Sequence, residues 1–146
     1  MLDENFNFSD VPEDWTLCYV GECGRRDECM RYQVQLKAPR KLTQCPCVLP
    51  TVLKGKSCPH FMPIRLVQAA AGFKDIFREV KAVDLPMMRE RIKQYLGGNG
   101  TYYLYRNGKK LLMPEQQAWI RRFFKRCGYD ENVEFEEYRN VYLFQG

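Results

Sequence analysis

Six of the chain's seven cysteines fall within the first 58 residues: Cys18, Cys23, Cys29, Cys45, Cys47 and Cys58. Clustered thiolates are soft ligands, and a set of four suits tetrahedral zinc or an iron–sulfur cluster. The seventh, Cys127, stands alone near the other end. The count is odd, and Met1 to Val20 show neither a basic start nor the apolar core of a secretory signal. Disulfide frameworks belong to exported chains, so a cytoplasmic location is expected, with metal ahead of unligated thiols and of disulfides. One reading of the spacing pairs Cys45-Pro46-Cys47 with Cys58-Pro59-His60, two ligand pairs separated by ten residues.

Other chemistry finds little support in the residues. His60 is the only histidine, so general acid–base catalysis at neutral pH has few candidates. Cys127 is expected at a helix C-terminus, where the dipole raises a thiol pKa and makes a poor nucleophile. Gly97-Gly98-Asn99-Gly100 lacks the strand before it and the Lys-Ser/Thr after it that a phosphate loop needs. There is no G-x-S-x-G elbow. A non-catalytic protein is expected, with no small-molecule substrate.

The elements that must position the cysteines are read from length and pattern. The 146 residues fit one domain, 1–146, with 45% hydrophobic and 28% charged residues arguing against disorder. No run approaches the roughly 18 apolar residues of a membrane span. Residues 18–62 carry four prolines (Pro39, Pro46, Pro50, Pro59) and no sustained apolar period. The N-terminal stretch, residues 1–62, is therefore irregular enough to need an external staple. Within it, Arg26 to Leu36 reads as one short helix and Cys47 to Leu53 as a strand.

From Pro63 the pattern turns helical, with Phe73, Ile76, Phe77 and Val80 at i, i+3, i+4 and i+7 and a break near Gly72. Asp84 suits the N-cap of a second helix, 85–96, which Gly97-Gly98 ends. Thr101–Arg106 and Lys109–Met113 flank Asn107-Gly108, a two-residue hairpin signature. That hairpin sets Tyr102, Leu104, Leu111 and Met113 toward the core and Tyr103, Tyr105 and Lys110 outward. Pro114 opens a third helix, 114–127, with Trp119, Ile120, Phe123, Phe124 and Cys127 as its apolar stripe. The last stretch, with the alternating Val133-Glu134-Phe135-Glu136 and the aromatic end Tyr142-Leu143-Phe144, is expected to add a strand beside the hairpin. The expected fold is α+β: an irregular cysteine-bearing segment packed on three helices with a small antiparallel hairpin sheet.

Charge is unevenly spread. Residues 63–128 hold 14 basic and 5 acidic side chains, net +9, whereas 129–146 hold 1 and 5, net −4. Internal pairing of the acidic tail with the basic surface is the leading explanation. The sharper one is a nucleic-acid partner, with Arg121, Arg122, Lys125, Arg126 and Lys110 on phosphates. Nine Tyr and nine Phe exceed what a small core easily hides, which points to a protein partner met through an aromatic surface.

Several motifs together resemble a known family: Asp10-Val11-Pro12, Leu17-Cys18-x4-Cys23-x5-Cys29-x-Arg31, Cys58-Pro59-x-Phe61, Tyr102 to Gly108, and Leu112-x-Pro114-Glu115-Gln116-Gln117-x-Trp119. The chain resembles, over nearly its whole length, an uncharacterised bacterial family, a domain of unknown function in small proteins of gut anaerobes. The resemblance implies a four-thiolate set of Cys18, Cys23, Cys29 and Cys58, with Cys45 and Cys47 as additions. It implies no activity. Zinc leads an iron–sulfur cluster, since a closed structural site needs no redox partner. The expected function is a metal-stabilised adaptor or regulatory protein. A nucleic-acid-binding module and an iron–sulfur redox or sensor protein are the alternatives.

Overall fold

A computed structural model describes residues 2–144. The chain is α+β and divides into two compact units, one running up to Arg65 and including the tail from Tyr142, the other spanning Leu66–Val141.

In the first unit regular structure is scarce. Strand β1 (Leu17–Cys18) pairs in parallel with β2 (Cys47–Val48). Between them lies α1 (Met30–Gln35), which buries Met30, Gln33 and Val34, the i, i+3, i+4 set of one helix face. The helix expected over 26–36 is therefore shorter, because residues 23–29 are spent in consecutive turns closed by Arg26 N–H to Cys23 O (3.3 Å) and Cys29 N–H to Arg26 O (3.4 Å). The strand expected over 47–53 stops at Val48. Pro50, with φ fixed and no N–H to donate, opens a 3-10 turn over Pro50–Lys54 instead. Leu17, Met30, Val34 and Met62 form the centre of this unit, covered by Phe6, Phe8, Trp15, Tyr142 and Phe144. Trp15 packs edge-on against Phe144 at 5.2 Å and donates its indole N–H to the Phe144 carbonyl (2.9 Å).

The second unit holds the larger core. Strand β3 (Leu66–Ala71) pairs with β4 (Glu137–Tyr142). Bonds from Glu136 N–H to Gly72 O and from Leu143 N–H to Arg65 O flank the ladder in antiparallel register. Helices α2 (Leu85–Tyr95), α3 (Asn99–Arg106) and α4 (Pro114–Arg126) complete the unit. Phe73, Met88, Ile92, Tyr102, Leu112 and Ile120 are the most deeply buried side chains of its core.

Two expectations fail here. No helix follows Pro63: Leu66–Ala71 is extended, although three consecutive alanines favour a helix. Ala69, Ala70 and Ala71 are buried, and Ala70 exchanges two backbone bonds with Leu112 (2.8 and 2.9 Å), so tertiary pairing overrides local preference. Phe73, Ile76, Phe77 and Val80 do reach the core at their helical spacing, but from a run of turns with i to i+3 bonds.

The hairpin expected around Asn107-Gly108 is instead the end of α3. Gly108 has φ +77°, its N–H donates to Tyr105 O (3.2 Å) and Lys109 N–H donates to Leu104 O (2.9 Å), which is a Schellman stop. The buried pair is accordingly Tyr102 and Tyr105, one helical turn apart, while Leu104 is exposed. The last strand consequently has no hairpin to join and lies beside β3. Helices α2 and α4 stand where their caps and stops place them. Asp84 occupies the N-cap position of α2, but its carboxylate accepts from the Tyr129 hydroxyl rather than from the helix backbone.

Candidate metal centre

The parallel ladder sets the direction of each cysteine. Neighbours along a strand point to opposite faces. Cys18 pairs with Val48 and Leu17 with Cys47, so Cys18 and Val48 share one face and Cys47 lies on the other. On the first face is a cavity of about 30 Å³ walled by Cys18, Cys23, Cys29 and Cys58, with Val20, Val48 and Tyr32 among its apolar lining. Cys23 is brought there by a turn in which its N–H donates to Val20 O (3.3 Å). Cys29 sits at the N-cap of α1, held by a backbone bridge to Pro63. Cys58 heads a turn closed by Phe61 N–H to Cys58 O (3.3 Å).

Arg31 fastens these pieces. Its Nε donates to the His60 carbonyl and its Nη1 to the Thr16 carbonyl, both at 2.8 Å, with the guanidinium 4.9 Å from the Trp15 ring centre. One planar fork thus joins the turn of Cys58 to the strand of Cys18. Arg25 lies 3.5 Å over the Phe61 ring, Arg26 donates to the Gly21 carbonyl, and all three arginines line the thiol cavity. Sequence reasoning places Arg31 only within a motif and assigns it no role. Its position two residues after Cys29 is the available signal. Lysine presents one ammonium rather than a planar fork and cannot hold both carbonyls in this geometry. Arg31→Lys is expected to lower stability by about 2 kcal/mol, the scale of charged hydrogen bonds, in urea unfolding. Wild-type stability in that variant would contradict the fastening role.

Burial pushes the Cys18 thiol pKa up, and the adjacent Cys29, Cys23 and Cys58 push it the same way, against a bond donated by the Val20 backbone N–H. All seven cysteines are unpaired. Among the described residues no group of three or more His, Cys, Asp or Glu is arranged to hold a metal ion as it stands. The four sulfurs share a cavity wall without closing on one centre. They fit a soft dication in donor type and number.

The alternative set is dispersed. Cys45 lines a separate cavity with Leu42 and Trp15, and Cys47 lines a third together with His60. Of that set, only Cys58 and His60 reach the thiol cavity.

In the second unit, Cys127 caps the C-terminal end of α4 against the core, and burial followed by nearby Asp84 pushes its thiol pKa up. Arg121 is spent internally. Its guanidinium donates to the Val133 carbonyl (3.1 and 3.3 Å) and to the Tyr138 hydroxyl (3.1 Å) and lies over the Phe135 ring. Lys125 pairs with Glu131 of the acidic tail at 3.7 Å. Arg122, Arg126 and Lys110 are exposed, but Tyr105, expected to face outward beside Lys110, is buried. Of the aromatics, Tyr19 and Tyr103 are exposed among the described residues. Tyr95, Trp119 and Phe123 stack in sequence at 3.8 and 5.3 Å, and among the described residues no Phe or Trp is an exposed large side chain.

No curated protein and no solved structure matches the chain significantly. A family of unknown function, DUF6078, matches residues 1–144. With that span covering both units and every cysteine, the chain belongs to the DUF6078 family.

Proposed function

We propose that the chain is a non-catalytic, metal-stabilised adaptor in which Cys18, Cys23, Cys29 and Cys58 hold one zinc ion. The observation that carries this reading is the meeting of those four cysteines, from separate stretches of sequence, on the wall of one small cavity. The unit around them has two-residue strands and a six-residue helix, so its backbone pairing anchors little and an ion would fix its shape. The ion's role is structural, since four protein ligands leave no open position for a substrate.

The choice of a protein partner rests on Leu36, Leu49 and Leu53, exposed apolar side chains of the same unit, rather than on the aromatics. Reduced thiols suit a cytoplasmic location, and the family likeness a bacterial one. A nucleic-acid role is weaker, because Arg121 is committed internally and Lys125 is paired.

Cobalt reports the ligand set directly. Protein reloaded with Co²⁺ is expected to show sulfur-to-metal charge-transfer bands and the intense visible bands of a tetrahedral ion. The pale spectrum of an octahedral, oxygen-ligated ion would contradict the four-thiolate set.

A further inference from the structure

The geometry points to a binding pocket in the second unit for a small ligand that carries a phosphate group. It is independent of the metal reading. Three segments converge on a cavity of about 480 Å³ lined by Lys74, Arg78, Arg89, Arg106, Tyr102 and Tyr103, with Asp75 as the acid in its wall. The turns after β3 contribute Lys74 and Arg78, α2 contributes Arg89, and α3 contributes the tyrosines and Arg106. Phe73 fixes this meeting. Its N–H donates to the Arg106 carbonyl (3.1 Å) and its ring packs edge-on against Tyr102 at 5.3 Å.

The charge in this pocket is largely unspent. Asp75 pairs with Arg78 at 3.3 Å, and the other lining cations have no carboxylate partner among the described residues. Glu136 lies at the margin, but it accepts from the backbone N–H of Lys74 (3.0 Å) rather than from its ammonium. Aromatic faces hold two of these cations instead, and Arg89 lies 6.0 Å from the Phe77 ring centre. Arg106 lies 5.9 Å from the Tyr103 ring centre, and Lys93, one turn beyond Arg89 on α2, lies 5.4 Å from Tyr103 and 5.5 Å from Tyr102. A ring orients a cation through its quadrupole without cancelling its charge, so the field stays available to an anion. Guanidinium forks bind phosphate oxygens in pairs, which supplies by side chains what the chain lacks as a glycine-rich loop. The volume falls within the roughly 300–1,000 Å³ of small-molecule sites.

Calorimetric titration of the full chain with pyrophosphate at low salt tests the assignment. Saturable binding at one site per chain is expected. Arg89→Gln and Arg106→Gln should each weaken it by about tenfold or more, the scale of a lost charged contact. Arg122→Gln, on the exposed side of α4, should leave it within about twofold. Melting curves identify any variant that fails to fold, and the other pocket variant then carries the comparison. ADP binding tighter than pyrophosphate would identify a nucleotide, and equal binding a non-nucleotide phosphate; both support the pocket. Absence of saturable binding would overturn the proposal. So would an equal loss in Arg122→Gln, or binding of a single-stranded oligonucleotide that ignores Arg89 and Arg106.

Discussion

Cys29→Ser is expected to strip the first unit of the proposed ion and to lower its melting temperature by more than about 10 °C, whereas Cys45→Ser shifts it by a few degrees at most. A serine hydroxyl is a hard donor that does not ionise near neutral pH, so it replaces a thiolate poorly at a soft cation. Structural zinc contributes about 10–16 kcal/mol in small metal-dependent domains, and losing one of four ligands forfeits several kcal/mol of it. Small domains shift by about 4–8 °C per kcal/mol, which turns that loss into the expected drop. Cys45 walls a different cavity, beside Leu42 and Trp15, and is only partly buried, so its replacement removes a contact worth about 0.5 kcal/mol or less. Cys29 is itself buried, and placing a hydroxyl there carries its own cost. A chelator separates the two effects. It should destabilise the wild type and Cys45→Ser but leave Cys29→Ser unchanged. Equal, small effects from both serines, with no response to chelator, would remove Cys29 from the ligand set.

In the second unit, Tyr105→Ala is expected to cost about 3 kcal/mol or more, and Leu104→Ala less than about 0.5 kcal/mol. An alternating strand would bury Leu104 beside Tyr102 and leave Tyr105 outside. The helix reverses that: Tyr105 is 7% exposed and Leu104 44%. Truncating a buried aromatic loses its transfer free energy and leaves a cavity, about 3–5 kcal/mol in well-packed cores. It also removes the hydroxyl that accepts from the Gln116 side-chain amide (3.2 Å) and the ring that Lys110 faces at 5.3 Å. Leu104 loses only surface contacts. Chemical denaturation of both variants reads the difference. A larger cost at Leu104 than at Tyr105 would restore the hairpin.

How much of the fold is legible in the residues follows from how local each signal is. Helices α2 and α4 are legible because proline openings, glycine stops and apolar stripes act within one segment. The stretch 63–80 misleads because its apolar spacing satisfies turns as well as a helix. The bonds that make Leu66–Ala71 a strand come from Leu112 and β4, far along the chain. Asn107-Gly108 is ambiguous for a deeper reason. A glycine with positive φ serves a tight hairpin and a helix stop equally, and only the buried partners of Tyr102 and Tyr105 choose between them. For the thiols, composition raises the expectation of metal chemistry, but the choice between Cys47 and Cys18 depends on the register of a two-residue parallel ladder. No local pattern encodes that register. The cationic pocket is illegible too, since its residues come from three segments whose meeting depends on the core around Phe73.

Metal content tests the central claim most directly. The full chain, purified without oxygen and without a metal-chelating column, should contain about one zinc per molecule and show no visible absorbance. Iron with acid-labile sulfide and a brown colour would replace the structural ion with a cluster and revive redox or sensing chemistry. Protein that holds no metal and melts identically with and without added zinc would contradict the four-thiolate zinc site.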